Sequence, residues 1–213
     1  PREFYEFDAQ GKPVYYSPYN GKIQDGYMYT DNGFWDTFRA VHPLFTLLYP
    51  EVSERVTQSI LNAYDESGFM PEWASPGHRE CMIGNNSISL LTDAWMKGIR
   101  TICPEKALEA MIHQTEARHP GISSVGRDGF GYYDRLGYVP YPEVHEATAK
   151  TLEYAYADWC VARFADSIGR KEIADTYYRK ALNYRNLYYP DYGFMWAKDA
   201  NGKWRDAFDA TEW

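Results

Sequence analysis

The sequence predicts a mainly α-helical fold, with five or six helices joined as antiparallel hairpins, two elaborate loops and an extended, strand-rich start. Three observations carry this prediction. From Phe34 onward apolar residues recur three and four positions apart, the spacing of one helix face. Helical stretches open on Pro-Glu pairs and close near Gly, as helix ends prefer. Residues 1–33, by contrast, are aromatic and punctuated by Pro13, Pro18, Asn20-Gly21, Asp25-Gly26 and Asn32-Gly33.

The elements follow in chain order. Tyr15-Tyr16 and Tyr27-Met28-Tyr29 read as short pairing segments between turns. Phe34, Phe38, Val41 and Phe45 fall on one helical face, with Pro43 set to kink or end a turn. Pro50-Glu51 opens the next helix, whose stripe is Val56, Ile60, Leu61 and Tyr64 and whose end is Gly68. A loop from Phe69 to Arg79 leads to a helix from about Gly84 to Arg100, with Ile88, Leu91, Ala94, Trp95 and Ile99 inside. Pro104-Glu105 starts another helix, burying Leu108, Met111 and Ile112.

Residues 119–142 read as a long Gly/Pro/Tyr loop, longer than structureless loops usually run unless they serve a site. A long helix then spans roughly Glu146 to Ile168, with Gly169 at its C-terminal cap. Arg170 to Asn186 is the last clear helix, and Asn201-Gly202 signals a hairpin between Phe194-Met195-Trp196 and Lys203-Trp204. The segment Ala174–Ala181 has the look of half a helical repeat, but no period recurs.

Composition narrows the classes. The 213 residues are 45% apolar and 24% charged, which argues for a folded globular chain and against disorder. No run of eighteen apolar residues occurs, so no transmembrane helix is predicted. A net charge of −8 is unsuited to phosphate backbones and argues against a nucleic-acid partner. The aromatic share is high, 17% with 20 Tyr and 7 Trp, and such rings suit sugar stacking in a wet cleft, although a Tyr-rich helical core accounts for it as well. Cys81, Cys103 and Cys160 form neither a zinc pattern nor a disulfide framework, and Cys81 and Cys160 read as small buried hydrophobes. The chain begins at Pro1, which leads us to expect that the native N-terminus lies upstream.

No phosphate loop, dinucleotide fingerprint, zinc helix or nucleophile elbow is present. What remains is carboxylates beside aromatics at helix ends: Trp35-Asp36 with Arg39, Glu72-Trp73, His78-Arg79-Glu80, Asp128 with Tyr132, Tyr133 and Asp134, and His145-Glu146. Sugar hydrolysis needs one carboxyl to protonate the leaving oxygen and another to activate water or attack. Asp36, Glu80 and Glu146 are placed for such work, and each equally suits capping a helix N-terminus. His42, His78 and His145 show no ligand-like spacing.

Four blocks then make a specific resemblance: GFWDTFRAVHPLFTLLYPE (33–51), CMIGNNSISLLTDAWMKGIR (81–100), HEATAKTLEYAYADWCVARFA (145–165) and YRNLYYPDYGFMWAKDANGKW (184–204). From about residue 28 onward the chain resembles glycoside hydrolase family 92. The resemblance implies a calcium-dependent, inverting, exo-acting α-mannosidase, of α-1,2 type, built as a six-hairpin α/α toroid behind a β-sandwich. It implies residues 1–33 as an extended lead-in and residues 34–213 as the first part of the toroid, with the remainder of the catalytic domain as partner. Mannose-containing glycans are then the substrate, and a periplasmic or secreted setting is implied.

Substrate binding is implied for Trp35 and Asp36, and by a looser match for Arg79. The catalytic acid and base and the calcium ligands are expected beyond Trp213. Two rivals stay open: a non-catalytic carbohydrate-binding scaffold on the same toroid, and another α/α-toroid glycosidase using Glu80 or Glu146. A half toroid is also expected to leave Leu44, Leu47, Ile88, Leu91, Leu152 and Phe164 short of partners, so that residues 1–213 alone neither fold well nor cleave mannosides.

Overall fold

The structure, a computed structural model, describes residues 2–206, Asp209 and Thr211. It is mainly helical, with short strands at its two ends. The lead-in contains β1 (Arg2–Phe4), β2 (Glu6–Phe7), β3 (Pro13–Tyr16), β4 (Ile23–Asp25), β5 (Met28–Thr30) and β6 (Asn32–Gly33). Strands β2, β3 and β4 form one antiparallel sheet, and β1 pairs with β5 in the register Glu3–Tyr29. Both pairing segments expected from the tyrosines are therefore strands. The lead-in is tied to the helices: Tyr15 and Ser17 both donate hydrogen bonds to Glu66, and the Tyr29 N–H donates to Ser59 Oγ at 2.9 Å.

The helices are α1 (Phe34–Thr37), α2 (Val41–Leu48), α3 (Pro50–Ser67), α4 (Asn86–Met96), α5 (Pro104–Glu116), α6 (Phe130–Leu136), α7 (Ala147–Ser167) and α8 (Lys171–Lys180). A short strand β7 (Trp73–Ala74) pairs with β6 between α3 and α4. Helices α3 and α5 begin on Pro50 and Pro104, each with an acid in the first turn, as their sequences require. Helix α7 is the centre of the molecule, packed against α4, α5 and α8. While Tyr156 and Trp159 on one face are exposed, its buried residues cover more than one stripe, Ala155, Ala157, Ala162 and Ala165 among them. Small side chains at those positions let neighbouring helices approach closely. The main core joins these residues to Val56, Ile60 and Leu61 of α3, Ile88 and Leu91 of α4, and Leu108 and Met111 of α5.

Five expectations are adjusted. The face Phe34–Phe45 is two helices, because the chain turns between Thr37 and Val41, and Val41 is exposed. The helix expected from Gly84 begins at Asn86, since Gly84 has a left-handed backbone (φ 88°). The long loop holds α6, bracketed by Gly129 and Gly137 at φ 76° and 74°. The last helix stops at Lys180 and resumes as a 3-10 turn over Asn183–Leu187. Finally, Asn201-Gly202 does close a turn, with the Asp199 N–H donating to the Lys203 carbonyl at 2.9 Å and a bridge Lys198–Trp204. Phe194–Met195 (β9), however, pairs with Tyr188–Tyr189 (β8).

Of the six residues expected to lack partners, Ile88, Leu91 and Phe164 are fully buried and Leu152 is half-buried. Leu44 and Leu47 of α2 are 48% and 76% exposed. No helix among the described residues is long and apolar enough to cross a membrane.

Candidate active-site cleft

An open cleft of about 800 Å³ lies where the start of α7, the loop before α4 and the loop before α6 meet Trp35 of α1. Each wall has a local cause. The α7 wall carries Glu146, Ala149, Lys150 and Glu153, which share one helical face by their spacing. The loop wall carries Glu80, Cys81 and Met82, and Met82 is left-handed at φ 66°. Glu146, on the opposite lip, is also left-handed, at φ 56°. Non-glycine residues rarely adopt that backbone, and when they do they gather at functional sites.

Trp35 reaches the cleft because α1 is anchored from below. The Phe34 N–H donates to the Glu72 carbonyl at 3.1 Å, and β6 pairs with β7 through Gly33 and Trp73. A Cβ at Gly33 would lie 2.2 Å from the Trp73 ring, so only glycine lets these two segments close. The Trp35 indole N–H donates to Glu153 Oε1 at 3.1 Å, and the Arg39 guanidinium sits 4.2 Å over the indole ring.

Two of the cleft carboxylates, Asp128 and Glu153, lie beside cations, whereas Glu80 and Glu146 do not share a salt bridge with Lys or Arg among the described residues. Asp128 is paired with Lys150 at 3.2 Å and with Arg118 at 3.1 Å. Ser123 Oγ donates to Glu80, and His145 lies 3.5 Å from Glu146. Burial pushes the Glu153 carboxyl above its ordinary pKa, while the Trp35 hydrogen bond and the Arg39 charge pull it back. Among the described residues no three His, Cys, Asp or Glu side chains converge as a metal site. Asp128 and Glu153 do not fit calcium, since Asp128 is neutralised by two cations and Glu153 is held by an indole and an arginine.

The sequence-predicted residues divide. Trp35, Glu80 and Glu146 line the cleft together with Asp128 and His145. Asp36 is exposed on α1, next to Trp35 but outside the cleft lining. Arg79 is exposed beside Glu80, with its Nε–H donating to the Ser75 carbonyl at 2.6 Å. Cys160 is buried, and burial pushes its thiol up to about 12, whereas Cys81 is half-buried on the cleft wall rather than in the core. Glu153 was missed. Its signal was an acid inside an otherwise apolar helical stretch, between Leu152 and Tyr154, where an unpaired charge is costly.

Comparison with known proteins agrees with this architecture. The family model described as the glycosyl hydrolase family 92 catalytic domain matches residues 1–213. A family 92 inverting mannosidase of Bacteroides thetaiotaomicron is 83% identical, with a TM-score of 0.99 over 100% of this chain and 29% of that one. A family 92 α-mannosidase from the same organism, solved in complex with mannoimidazole, is 32% identical with a TM-score of 0.86, over 97% of this chain and 27% of that one. An uncharacterized secreted glycosidase of Arthroderma benhamiae is 25% identical over 167 residues, 68% of this chain and 21% of its own length. The chain thus spans under a third of the length of each of these relatives. It belongs to glycoside hydrolase family 92.

Proposed function

We propose that this chain forms part of an inverting, exo-acting α-mannosidase, of α-1,2 type, that releases terminal mannose from glycans. The observation that carries the reading is the aromatic, acid-lined cleft at Trp35 in a chain 83% identical to an inverting mannosidase. In this reading Trp35 presents a ring face to the sugar, and Asp36 and Arg79 take its hydroxyls from the rim. A carboxylate bonded to hydroxyls gives strong, charge-assisted hydrogen bonds. Inversion needs an acid and a base roughly 6.5–9.5 Å apart, with water between them. We assign that pair, and the calcium ligands, to residues outside these 213, in keeping with the commitment of Asp128 and Glu153 to neighbouring cations.

The helices are proposed as the first part of an α/α toroid that the remaining domain completes. The setting is proposed as periplasmic or secreted, supported by the secreted relative. The test is Asp36→Ala in the full-length polypeptide. It should lower kcat/KM on α-1,2-mannobiose by well over tenfold, and near-normal hydrolysis would remove Asp36 from the site. Residues 1–213 alone should release no mannose with or without calcium; release would place the acid and base within this chain.

A further inference from the structure

We propose that Glu153 is a positioning residue, which fixes the plane of the Trp35 indole at the cleft wall through the indole N–H. The inference rests on the reading of Trp35 as a sugar-contacting ring and goes beyond it. Three parts of the chain, 118 positions apart at the extremes, converge on this one carboxylate. Oε1 accepts the Trp35 N–H at 3.1 Å. Arg39 Nη2 lies 4.0 Å from the same oxygen. On the other side Gly84 presses against the Glu153 stem, where an added Cβ would stand 2.9 Å from Glu153 Cβ and 3.1 Å from Oε2. Glu153 therefore has little room to choose another rotamer.

The indole is pinned from two directions. Its edge is held by Glu153 and one face is covered by Arg39, whose Nη1 also donates to the Trp35 carbonyl. Arg39 in turn lies 4.5 Å from the Phe38 ring, so the covered face is backed by a second aromatic. Only the opposite face of the indole is left for a ligand. A ring that can swivel loses stacking geometry, and an ordering cost falls on each binding event instead of on folding. Glu153 is a poor general acid or base in this position, because its oxygen is committed to the indole and the guanidinium. Its effect should be felt in binding through Trp35.

The experiment is a double-mutant cycle on the full-length polypeptide, read as mannoimidazole affinity by calorimetry. Glu153→Ala should weaken binding about tenfold, the scale of one charge-assisted hydrogen bond, and Trp35→Phe, which removes the N–H donor together with part of the ring, should weaken it at least as much. The double variant should be no weaker than Trp35→Phe alone, because the hydrogen bond that Glu153 accepts is already gone in that background. Glu153→Gln keeps an acceptor and should bind within about threefold of the parent. Independent, multiplying losses in the cycle would overturn the proposal, and so would parental affinity in Trp35→Phe. Should Glu153→Ala not fold, Trp35→Phe and Glu153→Gln still decide it. Parental affinity in Trp35→Ala, or no binding by the parent itself, would instead overturn the reading of the cleft, and the proposal with it.

Discussion

Helix α7 carries two carboxylates five residues apart with opposite fates. Asp158 is fully buried, 2.8 Å from Arg127 Nη1, and accepts a hydrogen bond from the Tyr133 hydroxyl at 2.7 Å. Arg127, also buried, is held further by Asn85 Oδ1 at 2.7 Å and by the Tyr154 carbonyl at 3.1 Å. Glu153 stands on the cleft side with part of its carboxyl open to solvent. The first network ties the α6 loop to α4 and α7 through side chains that are themselves buried. The second is built on an aromatic ring that a ligand can reach. Polar clusters of similar chemistry thus separate into a floor that holds the cleft and a wall that meets its contents. Changes in the floor should cost stability and changes in the wall should cost binding.

The sharpest break of that contrast is Asp158→Ala. It leaves the Arg127 guanidinium buried without its counter-ion, which typically costs about 3–5 kcal/mol. Urea denaturation of the variant should show a loss of that size. A loss under about 1 kcal/mol would mean that water or another acceptor reaches Arg127 and that the floor is open.

Glu72, the second acid of the floor, is buried beneath α1 and accepts from the Ser87 N–H at 3.1 Å, Ser87 Oγ at 2.9 Å and Gln114 Nε2 at 3.0 Å. Burial pushes its pKa up to about 7, against the pull of those donors. The unfolded chain releases this proton near 4.5, whereas the folded chain holds it to about 7. Its stabilising contribution is therefore full below pH 4.5, falls across the window to 7 and is flat above it. His42 and His78, which burial pushes down to about 4, act in the opposite direction below their ordinary range. Only a difference between variants isolates the acid. The stability gap between Glu72→Gln and the parent should change by roughly 3 kcal/mol from pH 4.5 to 7, in favour of the variant at the higher pH. A constant gap would assign the titration to other groups.

The wall should behave otherwise. Glu153→Ala removes one partly exposed hydrogen bond and should cost about 1 kcal/mol of stability. Chemical denaturation reads this directly. A loss as large as that of Asp158→Ala would make Glu153 part of the floor and dissolve the distinction.

The helical frame could be read from the sequence, whereas the long-range side-chain contacts of floor and wall could not. Helices α3 and α5 announce themselves through Pro50-Glu51 and Pro104-Glu105, and α7 through its three- and four-residue spacing. Local rules sufficed there because the signals lie within one element. Helix α6 was hidden because seven residues between two glycines resemble a loop until Tyr133 finds Asp158, 25 positions on. Glu153 was hidden more deeply, since its meaning depends on Trp35 at 118 positions' distance. Trp35 stands out in the sequence as an aromatic beside an acid at a helix start, but its orientation comes from the fold. Arg127 was passed over inside a glycine-rich segment, although it is among the most buried side chains of the molecule.

The smallest effect belongs to the outer face of α2, where Leu44 and Leu47 are as short of partners as the sequence leads one to expect, unlike Ile88, Leu91 and Phe164. Leu47 repeats the apolar spacing of a core residue, yet it is 76% exposed, while Ile88 of α4 is wholly covered. Spacing reports which residues share a face, not whether another element covers that face. Within residues 1–213 the two positions should therefore diverge. Ile88→Ala opens a cavity in the main core and should cost about 2–5 kcal/mol. Leu47→Ser removes little buried area and should stay within about 0.5 kcal/mol of the parent. The same pair measured in the full-length polypeptide sharpens the point, because Leu47→Ser would stay neutral only if α2 keeps its outer face in water. A cost above about 1 kcal/mol there, with neutrality in the shorter chain, would show that another surface of the polypeptide packs on Leu44 and Leu47.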